Sequence, residues 1–197
     1  MSEKPAAADD HLIERKQNSQ ELFKGKLLHA FRDTVQLPDG GTATREYIVH
    51  PGAVVIVPLL DDGRVLLERQ FRYPVQQVMI EFPAGKLDVQ GEDRLACAKR
   101  ELLEETGYTA REWANAGQLH PVIAYSTECI DIWFARGLAD GGQRHLDAGE
   151  FLDVITATPQ ELLEWCRDGK VTDAKTLSCA LWLHNVLTGA WKLDWRS

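Results

Sequence analysis

Glutamates crowd one short stretch in the middle of the chain. Glu101, Glu104 and Glu105 fall within five consecutive positions of a segment that reads as an amphipathic helix between two glycines. At about 100° per residue, Glu101 and Glu105 lie one turn apart with Glu104 beside them. Like charges at this spacing repel each other, and carboxylate oxygens are ligands for Mg²⁺ or Mn²⁺. The spacing therefore predicts a divalent-metal site. The alternative is a solvated acidic face in which Arg100 pairs with Glu104.

The composition limits which classes of protein can contain this helix. The 197 residues fit one domain with a small added subdomain, and 44% of them are hydrophobic. A net charge of −8 argues against non-specific binding to nucleic acid or to a membrane surface. The N-terminus has no apolar signal-peptide core, and the four cysteines are scattered without a C-x-x-C pair. We therefore expect a cytoplasmic protein with no nucleic-acid or membrane partner.

Strand patterns dominate the first part of the chain. Residues 1–20 are polar and aperiodic, which predicts a disordered or loosely ordered tail. Residues 21–50 alternate on both sides of the turn at 38–41, which predicts a small antiparallel β subdomain. The remaining residues, 51–197, are expected to form the main domain.

The main domain mixes strands and helices. The apolar run at 53–60 predicts a buried central strand on which 65–72 pairs back, and 78–85 predicts a short strand leading into the acidic helix. Further strands are expected at 112–121, 128–137 and 151–158, with a polar loop over 138–150. Helices are expected at 159–169, capped by Thr158, and from 172–173 onward. This order predicts an α/β protein with a mixed sheet between helices.

The run GKLDVQGEDRLACAKRELLEETGY (85–108) resembles the Nudix box, a pattern of glycine, glutamate, Arg-Glu, Glu-Glu and glycine at set spacings. Six residues, rather than the five of the family pattern, separate Gly85 from Glu92. The resemblance implies a Nudix-type α/β/α sandwich with a mixed β-sheet, to which the N-terminal antiparallel β subdomain is added. It also implies that Arg100 orients a carboxylate.

The resemblance implies which residues bind the metal. Glu101 and Glu105 would be the core ligands, the backbone carbonyl of Ala84 would add another, and Glu104 would be an auxiliary or water-mediated ligand. The cofactor implied is Mg²⁺, with Mn²⁺ as a substitute. Glu92 would hold the loop at the start of the helix, and metal ligation is its alternative role.

The segment ERQFRYPVQQVMIEFPAGKLD (68–88) is similar to one branch of that family, the ADP-ribose pyrophosphatases. This similarity implies that Arg72 contacts the substrate's phosphates and that Glu81 borders the sugar and adenosine site. His50 lies near a position for a basic phosphate contact, and Glu150 matches a loop glutamate that serves as a late metal ligand or catalytic base. The alternatives are a surface arginine at 72 and a solvated loop at 150.

The resemblance thus implies a metal-dependent enzyme that hydrolyses the pyrophosphate bond of ADP-ribose, and of other ADP-sugars, to AMP and a sugar phosphate such as ribose 5-phosphate. The expected partners are this nucleoside diphosphate sugar and a second copy of the chain, joined as a homodimer through residues 21–50. One alternative is a pyrophosphohydrolase for another sugar nucleotide such as GDP-mannose. The other is a non-catalytic nucleotide-sensing domain, which would be expected to lose metal-ligand glutamates.

Overall fold

The computed structural model describes residues 7–89, 91–146 and 148–197, and the chain forms two compact units. The first unit comprises the residues up to His50 together with Val122–Glu128. The second comprises Pro51–Pro121 and Cys129–Ser197. Within the described ranges, no helix has the length and apolar character needed to cross a membrane.

The first unit contains a three-stranded antiparallel sheet. A short 3₁₀ helix at Ala7–Leu12 precedes β1 (Arg15–Lys24), β2 (His29–Gln36) and β3 (Thr42–Ile48), which pair in that order. The expected turn between β2 and β3 is confirmed, because the Leu37 N–H donates to the Gly41 carbonyl at 2.8 Å.

The tail predicted over residues 1–20 is wrong from residue 7 onward. Residues 7–12 are helical and β1 begins at Arg15, while residues 1–6 lie outside the described part of the chain. All ten residues of β1 are exposed, so the strand has no buried face to impose apolar alternation on the sequence. Backbone pairing with β2 forms the strand instead.

The second unit is built on a seven-stranded mixed sheet. The strand order is β10-β5-β4-β9-β8, with β6 paired to β5 and β7 to β4; β4 and β9 are parallel, and the other pairs are antiparallel. The strands are β4 (Ala53–Leu59), β5 (Val65–Arg72), β6 (Gln77–Glu81), β7 (Ala84–Lys86), β8 (Tyr108–Leu119), β9 (Ile130–Asp140) and β10 (Leu152–Ala157). The expected central position of β4 is confirmed.

Helices cover both faces of this sheet. In β4, Val54 and Ile56 pack in a buried cluster with α1 (Arg94–Thr106). The alternate residues Val55 and Val57 pack in a second cluster with α2 (Pro159–Arg167) and α3 (Ala174–Leu187). Because side chains alternate across a strand, one continuous apolar run serves both layers. The expected α/β/α sandwich is confirmed.

The helix starts follow the capping signals in the sequence. The Asp93 carboxylate accepts a hydrogen bond from the Ala96 N–H at 2.9 Å and starts α1. Thr158 forms a capping box with Glu161 at the start of α2, and Asp173 caps α3. Gly107 ends α1 with φ of 76°, a left-handed conformation that glycine adopts without steric cost.

Several predicted strand boundaries are corrected by the structure. The strand predicted at 78–85 is two strands interrupted at Phe82-Pro83, because proline lacks an N–H and the Phe82 N–H donates to Thr176 Oγ1 at 3.1 Å. The predicted pairing of β5 back on β4 occurs at Leu59 and Val65, after which β5 pairs with β6 and β10. Strand β9 continues to 140, so the polar loop begins later than predicted.

Candidate active site

One face of β5 carries three polar side chains at alternate positions, Glu68, Gln70 and Arg72. Arg72 donates from Nε and Nη2 to the two carboxylate oxygens of Glu81, at 2.7 and 2.9 Å. Gln70 Nε2 donates to Glu150 Oε1 at 3.0 Å. The strand therefore draws Glu81, at the end of β6, and Glu150, from the loop before β10, to the same face.

Glu68 brings the helix α1 into this group. Its carboxyl group lies against that of Glu105, and both residues are buried. Burial raises the pKa of Glu68 to about 8; hydrogen bonding to Glu105 opposes the shift, and the charges of Glu150 and Glu81 add to it. Burial and the Glu68 charge likewise raise the pKa of Glu105 well above its usual range. Two buried carboxyl groups thus meet, and the positive charge that acts on both, Arg72, is itself hydrogen-bonded to Glu81.

Strand β7 supports the glutamates of α1. The Ala84 N–H donates to Glu105 Oε2 at 3.1 Å. A Cβ added to Gly85 would stand 1.8 Å from Glu101 Cδ, so Glu101 lies directly against the glycine backbone. Gly85 therefore lies in contact with α1 despite the additional residue between it and Glu92.

Arg100 gathers the remaining acidic residues of the motif. Its Nε and Nη2 donate to Glu92 at 3.0 and 3.1 Å, and its Nη1 donates to Glu101 at 2.8 Å and Glu104 at 2.9 Å. Hydrogen bonding to Glu92 raises the pKa of Arg100. The Arg100–Glu104 ion pair that was expected for a solvated acidic face is therefore present, as part of a larger network. Among the described residues, no group of three or more His, Cys, Asp or Glu side chains is already arranged to hold a metal ion.

The donor set nevertheless fits a hard divalent cation. Glu101, Glu104 and Glu105 offer carboxylate oxygens, the ligands that Mg²⁺ and Mn²⁺ favour. Burial raises the pKa of Glu101 to about 7 even though Arg100 opposes the shift. A bound cation would offset this cost, because an adjacent positive charge favours the ionised form of a carboxyl group.

Glu81 joins Arg72 to the start of α3. The buried Glu81 carboxylate also binds the Lys175 ammonium group, which donates to Asp173 Oδ2 at 3.0 Å. Burial would raise the pKa of Glu81, but the hydrogen bond from Arg72 and the Lys175 charge outweigh it and lower the pKa. The Arg72 side chain remains 44% exposed, so it can reach a ligand while Glu81 holds it in place.

The structure brings most of the predicted residues into one site and adds two. Glu68 and Lys175 were not predicted. Glu68 could have been found, because it precedes Arg72 by four residues and side chains at every second position of a strand share a face. His50 belongs to the first unit, where its N–H donates to Thr127 Oγ1 at 2.9 Å. Its role as a phosphate contact stays a prediction.

Comparison with known proteins agrees with this geometry. The NUDIX domain model matches residues 49–178, and the model of the nucleoside diphosphate sugar hydrolase N-terminal domain matches residues 14–48. The chain is similar to the ADP-ribose pyrophosphatase of Bacillus subtilis (strain 168), with 35% identity over 158 residues, 80% of this chain and 85% of that protein. It is 34% identical to the methanol dehydrogenase activator of Bacillus methanolicus over 169 residues, 84% of this chain and 90% of that protein.

A solved structure described as an ADP compounds hydrolase superposes with a TM-score of 0.80 at 22% identity, over 90% of this chain and 95% of that one, and so shares the fold. Since the NUDIX model covers more than half of the sequence, and close relatives match over most of their length, the chain belongs to the Nudix hydrolase family.

Proposed function

We propose that this Nudix hydrolase cleaves the pyrophosphate bond of ADP-ribose to AMP and ribose 5-phosphate, and that it accepts other ADP-sugars. The observation that carries the proposal is the meeting of buried carboxylates and a half-exposed arginine on one face of β5. Carboxylates suit a metal that neutralises a pyrophosphate, and a guanidinium suits the phosphate oxygens. The ADP-ribose pyrophosphatase of Bacillus subtilis supports the choice of substrate.

The proposed hydrolysis assigns metal binding and phosphate binding to different residues. Glu101 and Glu105, with the Ala84 carbonyl and Glu104 in support, would hold Mg²⁺ or its substitute Mn²⁺. Such a cation neutralises phosphate oxygens and lowers the pKa of water. Glu81 engages the Nε and Nη2 edge of Arg72, so Arg72 would bind the phosphates through the outer edge of its guanidinium group, formed by Nη1 and Nη2.

Glu150 is the proposed general base. Gln70 holds its carboxylate on the site face of β5, and its position in the loop before β10 allows it to move on closure. It would take a proton from water as the water oxygen bonds to one phosphorus and the bridging oxygen leaves with the other phosphate. Direct metal ligation is its alternative role, and His50 is proposed as a further phosphate contact.

The first unit is the proposed dimer interface. Strand β1 is an edge strand, and Leu22 and Phe23 on it are 42% and 56% exposed. Open edges and exposed apolar groups of this kind are commonly covered by a partner chain. Light scattering is expected to give twice the 22.2 kDa chain mass, whereas the single-chain mass would contradict a homodimer. The four free cysteines suit a reducing compartment such as the cytoplasm.

A substrate panel tests the reaction. Purified protein with Mg²⁺ is offered ADP-ribose, ADP-glucose, GDP-mannose, NADH and a nucleoside triphosphate, and the products are separated and counted. We expect AMP from ADP-ribose to form fastest. A preference for GDP-mannose would contradict the substrate proposal. Hydrolysis of none of these compounds would favour a nucleotide-sensing domain.

Glu105→Gln tests the metal assignment within the same assay. Losing a ligand charge is expected to remove several kcal/mol of transition-state stabilisation, a fall in kcat on the order of 10²–10⁴. Glu112→Gln is a suitable control, since Glu112 lies on β8 and pairs with Arg136. Near-normal turnover of Glu105→Gln would show that the metal assignment is wrong.

A further inference from the structure

Glu68 lies outside the family motif and yet meets the motif's glutamates. It sits on β5, where its cross-strand neighbours are Glu81 on β6 and Val154 on β10. Its side chain is on the face that carries Gln70 and Arg72, and only 2% of the residue is exposed. Glu68 is therefore a buried carboxyl group on the same strand face as Arg72.

The Glu68 carboxyl group is incompletely bonded. Its Oε1 atom is buried and has no hydrogen-bond partner among the residues that the structure describes. Leaving a buried polar atom unpaired costs about 1–3 kcal/mol, and more if the group is charged. Buried carboxylates are therefore normally paired with a cation or bound to a metal. The unpaired oxygen indicates that a bonding partner belongs here.

The basic side chains around the site are engaged by other carboxylates. Arg72 makes its two described hydrogen bonds to Glu81. Lys175 binds Glu81 and Asp173. The charged groups around Glu68 are the acidic Glu105, Glu150 and Glu81 and one base, Arg72, whose described hydrogen bonds go to Glu81. A positive charge from outside the chain is the simplest partner for Oε1.

We propose that Glu68 is an additional carboxylate ligand of the divalent-metal site, supplied by β5 and acting together with Glu105. The inference rests on the proposed function in one respect, since it requires that this site bind a divalent cation. It adds a ligand from the same strand face that carries Arg72. The cation and the phosphate-binding guanidinium group are then held by one element, which fixes the distance between them.

Metal binding by the full chain tests the proposal without relying on catalysis. Mn²⁺ affinity is measured by titration followed by electron paramagnetic resonance for the wild type, Glu68→Gln and Asp131→Asn. Asp131 is a matched control because it is a buried carboxylate of the same sheet whose two oxygens are already bonded, by Arg94 and Gln118. We expect Glu68→Gln to weaken Mn²⁺ binding by at least ~10-fold and Asp131→Asn to leave it within about twofold.

A second variant separates ligation from folding. Glu68→Met replaces the carboxyl group by an apolar group of similar length, so the metal-free protein should melt at the wild-type temperature or above it. The rise in Tm on adding Mn²⁺ should be smaller than in the wild type. An unchanged rise in Tm, or unchanged Mn²⁺ affinity of Glu68→Gln, overturns the proposal.

The outcomes also distinguish this proposal from the proposed function. Weakened Mn²⁺ binding by Glu68→Gln supports Glu68 as a ligand even if the wild type leaves ADP-ribose intact. Normal Mn²⁺ binding by that variant, in a protein that does hydrolyse ADP-ribose, overturns the Glu68 proposal alone. A wild type that binds no Mn²⁺ overturns both.

Discussion

Individual side chains in this site owe their positions to neighbours on other elements. Arg72 and Arg69 are three residues apart on β5, but strand alternation places them on opposite faces. Arg72 is held by the buried Glu81, whereas Arg69 lies near Asp153 at 3.6 Å with half of its side chain exposed. The position in the strand therefore decides that Arg72, and not Arg69, lies on the face that carries Glu68 and Gln70.

Gly85 is the residue at which one added atom should matter most. Gly85→Ala would place a Cβ 1.8 Å from Glu101 Cδ, so the glutamate side chain must swing away. The end of a glutamate side chain can rotate, so the fold should persist. We expect Mn²⁺ affinity to fall by about 10–100-fold, as is typical when a metal ligand is disturbed. Titration with Mn²⁺ and circular dichroism measure the two effects.

Lys86→Ala provides the comparison for that prediction. It changes an exposed residue of the same strand, so it tests whether any substitution in β7 weakens the site. We expect it to bind Mn²⁺ as the wild type does. Equal affinity of Gly85→Ala and the wild type would mean that the close contact between Gly85 and Glu101 is not needed for metal binding.

At the scale of elements, the break between β6 and β7 is what joins the sheet to α3. Thr176 is fully buried near the start of α3, where its Oγ1 accepts a hydrogen bond from the Phe82 N–H and donates to Asp173 at 2.7 Å. Lys175 on the same turn binds Glu81. The helix start therefore stabilises both the backbone at the break and the carboxylate that holds Arg72.

Thr176→Val should loosen this junction. The substitution keeps the shape of the side chain but leaves the Phe82 N–H without its acceptor, at a cost of about 1–3 kcal/mol. For a protein of this size the Tm is expected to fall by roughly 2–4 °C per kcal/mol. Thermal unfolding compares this variant with Thr176→Ser, which keeps the hydroxyl group and should lose less. A Thr176→Val protein as stable as the wild type would contradict the role of the hydroxyl group.

At the scale of the whole molecule, the buried carboxyl groups couple stability to pH. Burial raises the pKa of Glu68 to about 8 and that of Glu101 to about 7, from an ordinary 4.5. Between pH 4.5 and these raised pKa values, Glu68 and Glu101 keep their protons in the folded, metal-free protein but have released them in the unfolded chain. The contribution of Glu68 and Glu101 to the stability of the folded state is therefore complete below about pH 4.5 and is lost as the pH rises toward 8. Glu81, whose pKa is lowered, is ionised in both states above pH 5 and adds no slope.

We therefore expect the free energy of unfolding of the metal-free protein to fall between pH 5.5 and 8. The slope is at most about 1.4 kcal/mol per pH unit for each proton released. Urea unfolding in the presence of a chelator measures it. The slope should be shallower for Glu68→Gln, which has one titrating group fewer, and for the wild type with saturating Mg²⁺. Parallel slopes in all three would exclude these glutamates as its source.

Much of the fold could be predicted from the sequence because its signals are local. Apolar period, capping residues and turn residues located α1, α2, the start of α3 and most strands of the sheet. The errors occur where the local pattern is absent or misleading. Strand β1 is exposed on both faces and shows no alternation, and Pro83 divides a segment whose composition reads as one strand. The break at Phe82-Pro83 is completed by a hydrogen bond to the distant residue Thr176, and β1 is held by its backbone pairing with β2.

The acidic helix, the spacing of its glutamates and the family to which they belong can be read from the sequence, because all of these are short-range patterns. Which charged side chains come into contact depends on the folded chain. Pairing of β5 with β6 and β10, and packing of α1 against β7, bring Glu68, Glu105 and Glu150 to one place. Residues so far apart along the chain leave no local signal, and their repulsion exists only once the fold has buried them together.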